Sequence, residues 1–107
     1  MFKGNMSKIL KQAQEMQRKI EDVQDQLSDL KLDVDSGGGM VSVKINGNQE
    51  ILELNIDPDT LKEEKEIIED LIISAINKAI SKSKSASQEK MNAATGGIAS
   101  GLKMPGF

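Results

Sequence analysis

Apolar residues in the first third of the chain recur at alternating steps of four and three: Ile9, Ala13, Met16, Ile20, Val23, Leu27 and Leu30. The positions between them are mostly Gln, Lys, Glu and Asp. This is a heptad stripe over about three heptads, and it predicts a long helix. The stripe is narrow, so it expects another helix across from it rather than a broad core. Asn5 or Ser7 is placed to cap the start. From Met6 to Leu30 such a helix would be about 37 Å long.

The period then drops to two. Leu30, Leu32 and Val34 alternate with Lys31, Asp33 and Asp35, and Ser36-Gly37-Gly38-Gly39 follows. Val41, Val43 and Ile45 alternate with Ser42 and Lys44, and Leu52, Leu54 and Ile56 with Glu53 and Asn55. Between the last two runs, Asn46-Gly47 is a hairpin signal, because both residue types tolerate positive φ. The pattern predicts a three-stranded antiparallel meander with one apolar face. So small a sheet needs cover on that face or extension by a second chain.

Asp57-Pro58-Asp59 ends the strands. Asp57 is placed as an N-cap, with Pro58 at the first helical position. A second long helix is expected from there, with a bend near Lys62–Glu66. Its broad apolar face (Ile67, Ile68, Leu71, Ile72, Ala75, Ile76, Ala79, Ile80) would cover the sheet. Beyond Ile80 the stripe thins to Ser83, Ser87, Met91 and Ala94, and Thr95-Gly96-Gly97 is expected to stop the helix. The fold class is α+β in the order α-β-β-β-α, one domain over residues 1–107, with 1–5 and 95–107 expected as flexible tails.

The chain has 107 residues and contains no His, Cys, Trp or Tyr. Without His or Cys, the commonest general base, metal ligands and nucleophilic thiol are missing. The carboxylates and lysines lie at solvated helical positions rather than in a pocket that would raise or lower a pKa. The expectation is a non-enzyme with no catalytic residues, cofactor, metal or small-molecule substrate. No apolar run approaches the roughly 18–20 residues of a membrane span, and Met1-Phe2-Lys3-Gly4-Asn5 lacks the apolar core of a secretory signal. A cytoplasmic protein with no membrane partner is expected.

Net charge is −3, but it is unevenly spread. Residues 1–19 hold five cations (Lys3, Lys8, Lys11, Arg18, Lys19) and one anion, Glu15. Residues 74–107 hold Lys78, Lys82, Lys84, Lys90 and Lys103 against Glu89 alone. The stretches between are acidic, including Glu21, Asp22, Asp25 and Asp29 late in the first helix. If the two helices lie antiparallel, the acidic parts gather at the sheet and the two basic parts converge at the other pole. Such a pole attracts phosphates in a salt-dependent way.

Two other motifs have simpler readings. Ser36-Gly37-Gly38-Gly39 lacks the Gly-Lys-Ser/Thr ending of a phosphate loop and opens into a strand, so it is a turn. Glu63, Glu64, Glu66, Glu69 and Asp70 do not follow a calcium-loop spacing and suit the positive end of a helix dipole. Phe2 and Phe107 are the only aromatics, which disfavours base stacking and favours duplex backbone contact over single-strand binding.

Six segments in order resemble the YbaB/EbfC nucleoid-associated family: Lys11-Gln12-Ala13-Gln14-Glu15-Met16-Gln17, Ser36-Gly37-Gly38-Gly39-Met40-Val41-Ser42-Val43, Asn46-Gly47, Ile56-Asp57-Pro58, Glu69 to Ala79, and Met104-Pro105-Gly106-Phe107. The resemblance spans nearly the whole chain. It implies an intertwined homodimer whose strands form a shared core, with paired helical arms projecting like tweezers. It also implies duplex-DNA binding in the nucleoid, with a role in nucleoid organisation or gene expression. The basic residues expected to contact phosphates are Lys8, Lys11, Arg18 and Lys19 on the first helix, and Lys78, Lys82, Lys84 and Lys90 on the second. The competing readings are a dimeric protein–protein adaptor whose arms grip a partner helix, and a purely structural dimer.

Overall fold

The computed structural model describes the backbone of residues 2–101 and the side chains of residues 6–96. Helix α1 spans Phe2–Asp29, strands β1, β2 and β3 span Leu32–Ser36, Val41–Ile45 and Ile51–Ile56, a 3-10 turn spans Pro58–Lys62, and helix α2 spans Lys65–Gly101. The strands form one antiparallel sheet in the order β1-β2-β3. The α-β-β-β-α order read from periodicity is the observed one.

The two-residue period puts Leu32, Val34 and Ser36 beside Ile45, Val43 and Val41, with Leu54 and Ile56 beside Val43 and Val41. One face of the sheet is therefore apolar. Helix α2 lays Ala75, Ala79 and Ser83 against it, all fully buried and four residues apart. Small side chains at that spacing let the helix axis come close to the sheet. Val41, Val43 and Ile45 are buried beneath them, ringed by Leu32, Val34, Ile56, Leu71, Ile72, Ile76 and Ile80. Burying each of the three strand residues contributes roughly 1.5–3 kcal/mol.

Helix α2 packs on β1 and β2. It leaves Leu52 and Leu54 of β3 nearly half exposed and Ile73 more than half exposed. The apolar face expected to be covered is thus covered over two strands and open over the third.

Gly37, Gly38 and Gly39 all have positive φ, which only glycine adopts at such a run without strain. The segment is the tight turn expected of it. The Asn46-Gly47 hairpin differs from expectation. The connection runs over residues 46–50, and the residue with positive φ is Gln49 (+61°). The Asn46 side chain organises it, accepting from the backbone N–H of Asn48 (2.9 Å) and Glu50 (3.0 Å). The register shift at Lys44/Ile45 accommodates the extra residues.

The long helix does not start at Asp57. Pro58 opens a separate 3-10 turn, and Asp57 makes no side-chain cap bond there. Glu63 is extended (φ −76°, ψ 166°), which separates this turn from α2 and accounts for the bend expected near Lys62–Glu66. At the far end, Thr95-Gly96-Gly97 is a break rather than a stop: Gly96 is non-helical (φ 43°, ψ −120°) and helix resumes to Gly101. The tails expected at 1–5 and 95–107 fall partly on Met1 and residues 102–107, which lie outside the described residues; the backbone of 2–5 and 97–101 is helical.

The extents are 73 × 31 × 16 Å and the radius of gyration is 20.2 Å. A compact domain of about 100 residues has a radius near 13 Å. The excess is the arm that α1 and α2 form beyond the sheet.

Candidate nucleic-acid interface

The arm is set by the β2–β3 connection, which clasps both helices. On one side the Gly47 N–H donates to the Leu27 carbonyl at the end of α1 (2.7 Å). Asn48 Nδ2 donates to the Gln24 carbonyl (3.3 Å) and to Ser28 Oγ (2.9 Å). On the other side Ser83 Oγ of α2 donates to the Asn46 carbonyl (2.7 Å) and accepts from the Gln49 N–H (3.0 Å) and Nε2 (3.2 Å). Leu27 and Val23 of α1 are buried, at 1% and 5% exposure. Two helices that share a hairpin but run in opposite directions have little choice but to project together.

The expected antiparallel pairing follows. Lys19, Asp22, Val23 and Gln26 of α1 line one open cleft of about 450 Å³ with Lys90, Ala93 and Ala94 of α2. Lys19 and Lys90, 71 positions apart in sequence, are thus brought to one cleft, with Asp22 between them as the local anion. Lys8, Lys11, Arg18 and Lys19 are exposed. At about 100° per residue they occupy one sector of α1 roughly 100° wide, opposite the apolar stripe. Glu15 and Asp22 fall in the same sector and dilute it.

The cations of α2 are not gathered on one face. Lys78 Nζ donates to the Asp35 carbonyl (3.4 Å) and Lys82 Nζ to the Asp33 carbonyl (3.0 Å). Both therefore lie along the free edge of β1, at the sheet end of the arm. Lys84 stands about 120° around the helix from Lys90 and about 160° from Lys82. Of the eight sequence-expected residues, four share a face of α1, one of these meets Lys90, and the other three are distributed.

Among the described residues the ion pairs are Lys44–Glu53 (3.6 Å) and Lys62–Asp59 (3.5 Å), both exposed. None of the eight cations lies within 4.0 Å of a described carboxylate. Their charge is available to an outside anion. The acids expected near the sheet are there: Glu21, Asp22, Asp25 and Asp29 are exposed late in α1, and Glu66, Glu69 and Asp70 early in α2. The molecule is electrostatically bipolar along its length.

Sequence reasoning missed the clasp. Ser83 looked like a thinning of the apolar stripe, yet it is fully buried and bonded three ways. The available signal was its four-residue step from Ala75 and Ala79, which keeps it on the sheet-facing line. A small hydroxyl there marks a backbone close enough to need it.

A family model described as the YbaB/EbfC DNA-binding family matches residues 2–98. Nucleoid-associated proteins of Legionella pneumophila strains Corby and Paris are each 42% identical over 94 residues, covering 88% of this chain and 84% of theirs. Among solved structures, an uncharacterised protein from Helicobacter pylori superposes with a TM-score of 0.72 at 28% identity, covering 78% of this chain and 88% of that one.

Proposed function

Because the chain belongs to the YbaB/EbfC DNA-binding family, we propose that it is a non-enzymatic nucleoid protein that binds duplex DNA by phosphate contacts from its helical arm. The observation that carries this reading is the meeting of Lys19 and Lys90 on one cleft, with no carboxylate within ion-pair distance of either among the described residues. Lys8, Lys11 and Arg18 extend the same field along α1. Lys84 contributes from α2. Lys78 and Lys82, held to β1, add to the field more than to direct contact. Phosphate contacts of this kind position a duplex without reading its bases, which suits a role in organising the nucleoid or tuning expression broadly. The relatives named as nucleoid-associated proteins support the same setting.

The working unit is a homodimer. A 107-residue chain with so small a core gains much from a partner. Leu52 and Leu54 of β3 with Ile73 of α2 leave an apolar face uncovered, the kind of surface a stable partner buries. The edge of β1 is already engaged by Lys78 and Lys82, so β3 is the edge left for extending the sheet or core. Two arms per dimer then double the cationic surface presented to a duplex.

The test is a mobility shift with random-sequence duplex at low and moderate salt. Wild type shifts at low salt. The variant carrying Lys11→Glu, Lys19→Glu, Lys84→Glu and Lys90→Glu does not, while its mass in solution is unchanged. A wild type that fails to shift at low salt overturns the reading and favours the adaptor.

A further inference from the structure

The N-terminal end of α1 carries a second uncovered apolar surface, remote from β3. Met6, Ile9 and Leu10 are 69%, 64% and 61% exposed, and with Ser7 and Ala13 they line an open trough of about 540 Å³. These residues prolong the stripe whose later members, Met16, Ile20 and Val23, are partly or fully buried. The stripe does not end; its cover does. The break at Gly96 interrupts α2 just past the point where Ala93 and Ala94 face Lys19 and Val23.

The pairing register says what should come next. The helices are antiparallel, so each step back along α1 is matched by a step forward along α2. With Val23 opposite about residue 92, Ala13 falls opposite about residue 102 and Lys8 opposite about residue 107, at about 1.5 Å per residue. In sequence, Met91, Ala94, Ile98 and Leu102 continue an apolar stripe at steps of three and four, and Met104 and Phe107 follow. Six extended residues reach about 20 Å, whereas Met6 to Ala13 covers about 10 Å of helix. At Gly96 (φ +43°) a Cβ would meet nothing within 4 Å, so the backbone is open to redirection there. A second copy suits the trough less well, because Lys8 and Lys11 would oppose their own counterparts.

We infer that residues 102–107 are the cover: Leu102, Met104 and Phe107 dock on Met6, Ile9, Leu10 and Ala13 of the same chain and close the tip of the arm. The docking also brings Lys103 to the end that carries Lys8 and Lys11. It does not depend on DNA binding.

The chain has no tryptophan, so Phe107→Trp gives a single reporter. In the full-length protein its emission is expected to be blue-shifted and its acrylamide quenching reduced several-fold, both unchanged across a dilution series. Adding Leu10→Asp at the exposed patch should restore the emission of a water-exposed indole with circular dichroism unaltered. A second reporter covers the case in which that variant misfolds. Leu10→Trp should emit further to the blue in the full chain than in a chain ending at Gly101. The spectrum of a water-exposed indole from Phe107→Trp alone, or identical Leu10→Trp spectra in the two chains, overturns the inference. So does a blue shift that fades on dilution, which assigns the patch to a second copy. A shift that arises only with anionic phospholipid vesicles overturns it in favour of a membrane surface.

Discussion

Replacing Gly47 by alanine tests whether the hairpin sets the arm. An added Cβ would stand 2.5 Å from Leu27 Cδ2, 2.8 Å from Leu27 Cβ and 3.0 Å from Leu27 Cα. The first contact can be relieved by rotating a side chain. The third involves the helix backbone and cannot. Leu27 is 1% exposed, so it has no empty space to enter. Overpacking of this kind costs about 1–3 kcal/mol. Moving the last turn of α1 outward also stretches the Gly47 N–H bond to the Leu27 carbonyl (2.7 Å), a loss of about 0.5–1.5 kcal/mol. Together these give a destabilisation of about 2–4 kcal/mol, measured by urea unfolding at fixed protein concentration with circular dichroism as the probe. Because the damage falls on the joint between α1 and the sheet, DNA affinity should fall as well. Leu27→Ala combined with Gly47→Ala should cost less than the two changes summed, because the first removes the atoms struck by the second. A Gly47→Ala protein within about 0.5 kcal/mol of wild type, the ordinary range of an uneventful surface substitution, would refute the reasoning.

Other substitutions probe separate parts of the account. Ser83→Ala leaves the Asn46 carbonyl and the Gln49 N–H without their buried partner and should cost about 1–3 kcal/mol in the same unfolding assay. Leu54→Asp places a charge on the open face of β3 and should halve the mass seen by analytical ultracentrifugation; an unchanged mass would move the dimer contact elsewhere. Lys78→Glu with Lys82→Glu should weaken DNA binding less than Lys19→Glu with Lys90→Glu, read by competition in fluorescence anisotropy, because the first pair is held to the edge of β1.

What could be seen in the sequence was whatever a local period reports. The change from a four-three rhythm to alternation at Leu30–Leu32 marked the helix-to-strand boundary, and Val41-Val43-Ile45 marked the buried strand. The bipolar charge of the arm followed from element order alone. Less visible were features decided by contacts distant in sequence. Asn46-Gly47 looked like a two-residue turn, but Gly47 is needed for its lack of a side chain against Leu27, so the left-handed residue is displaced to Gln49. Lys82 and Lys84 look equivalent along the chain, yet one faces the strand edge and the other stands most of half a turn away. Leu54 and Val43 are neighbours in the register with the same pattern signal, but α2 reaches only one of them. No period encodes which strand of a sheet a helix will cover.

The central claim is that cations on the arm neutralise DNA phosphates. Its most direct test is the salt dependence of duplex affinity, log K against log salt, for wild type and for Lys19→Glu with Lys90→Glu. The account expects a clearly negative wild-type slope, about −0.9 per phosphate neutralised, and a slope shallower by about 0.9 for each contact the variant loses. A flat wild-type slope, or parallel lines for the two proteins, would contradict it.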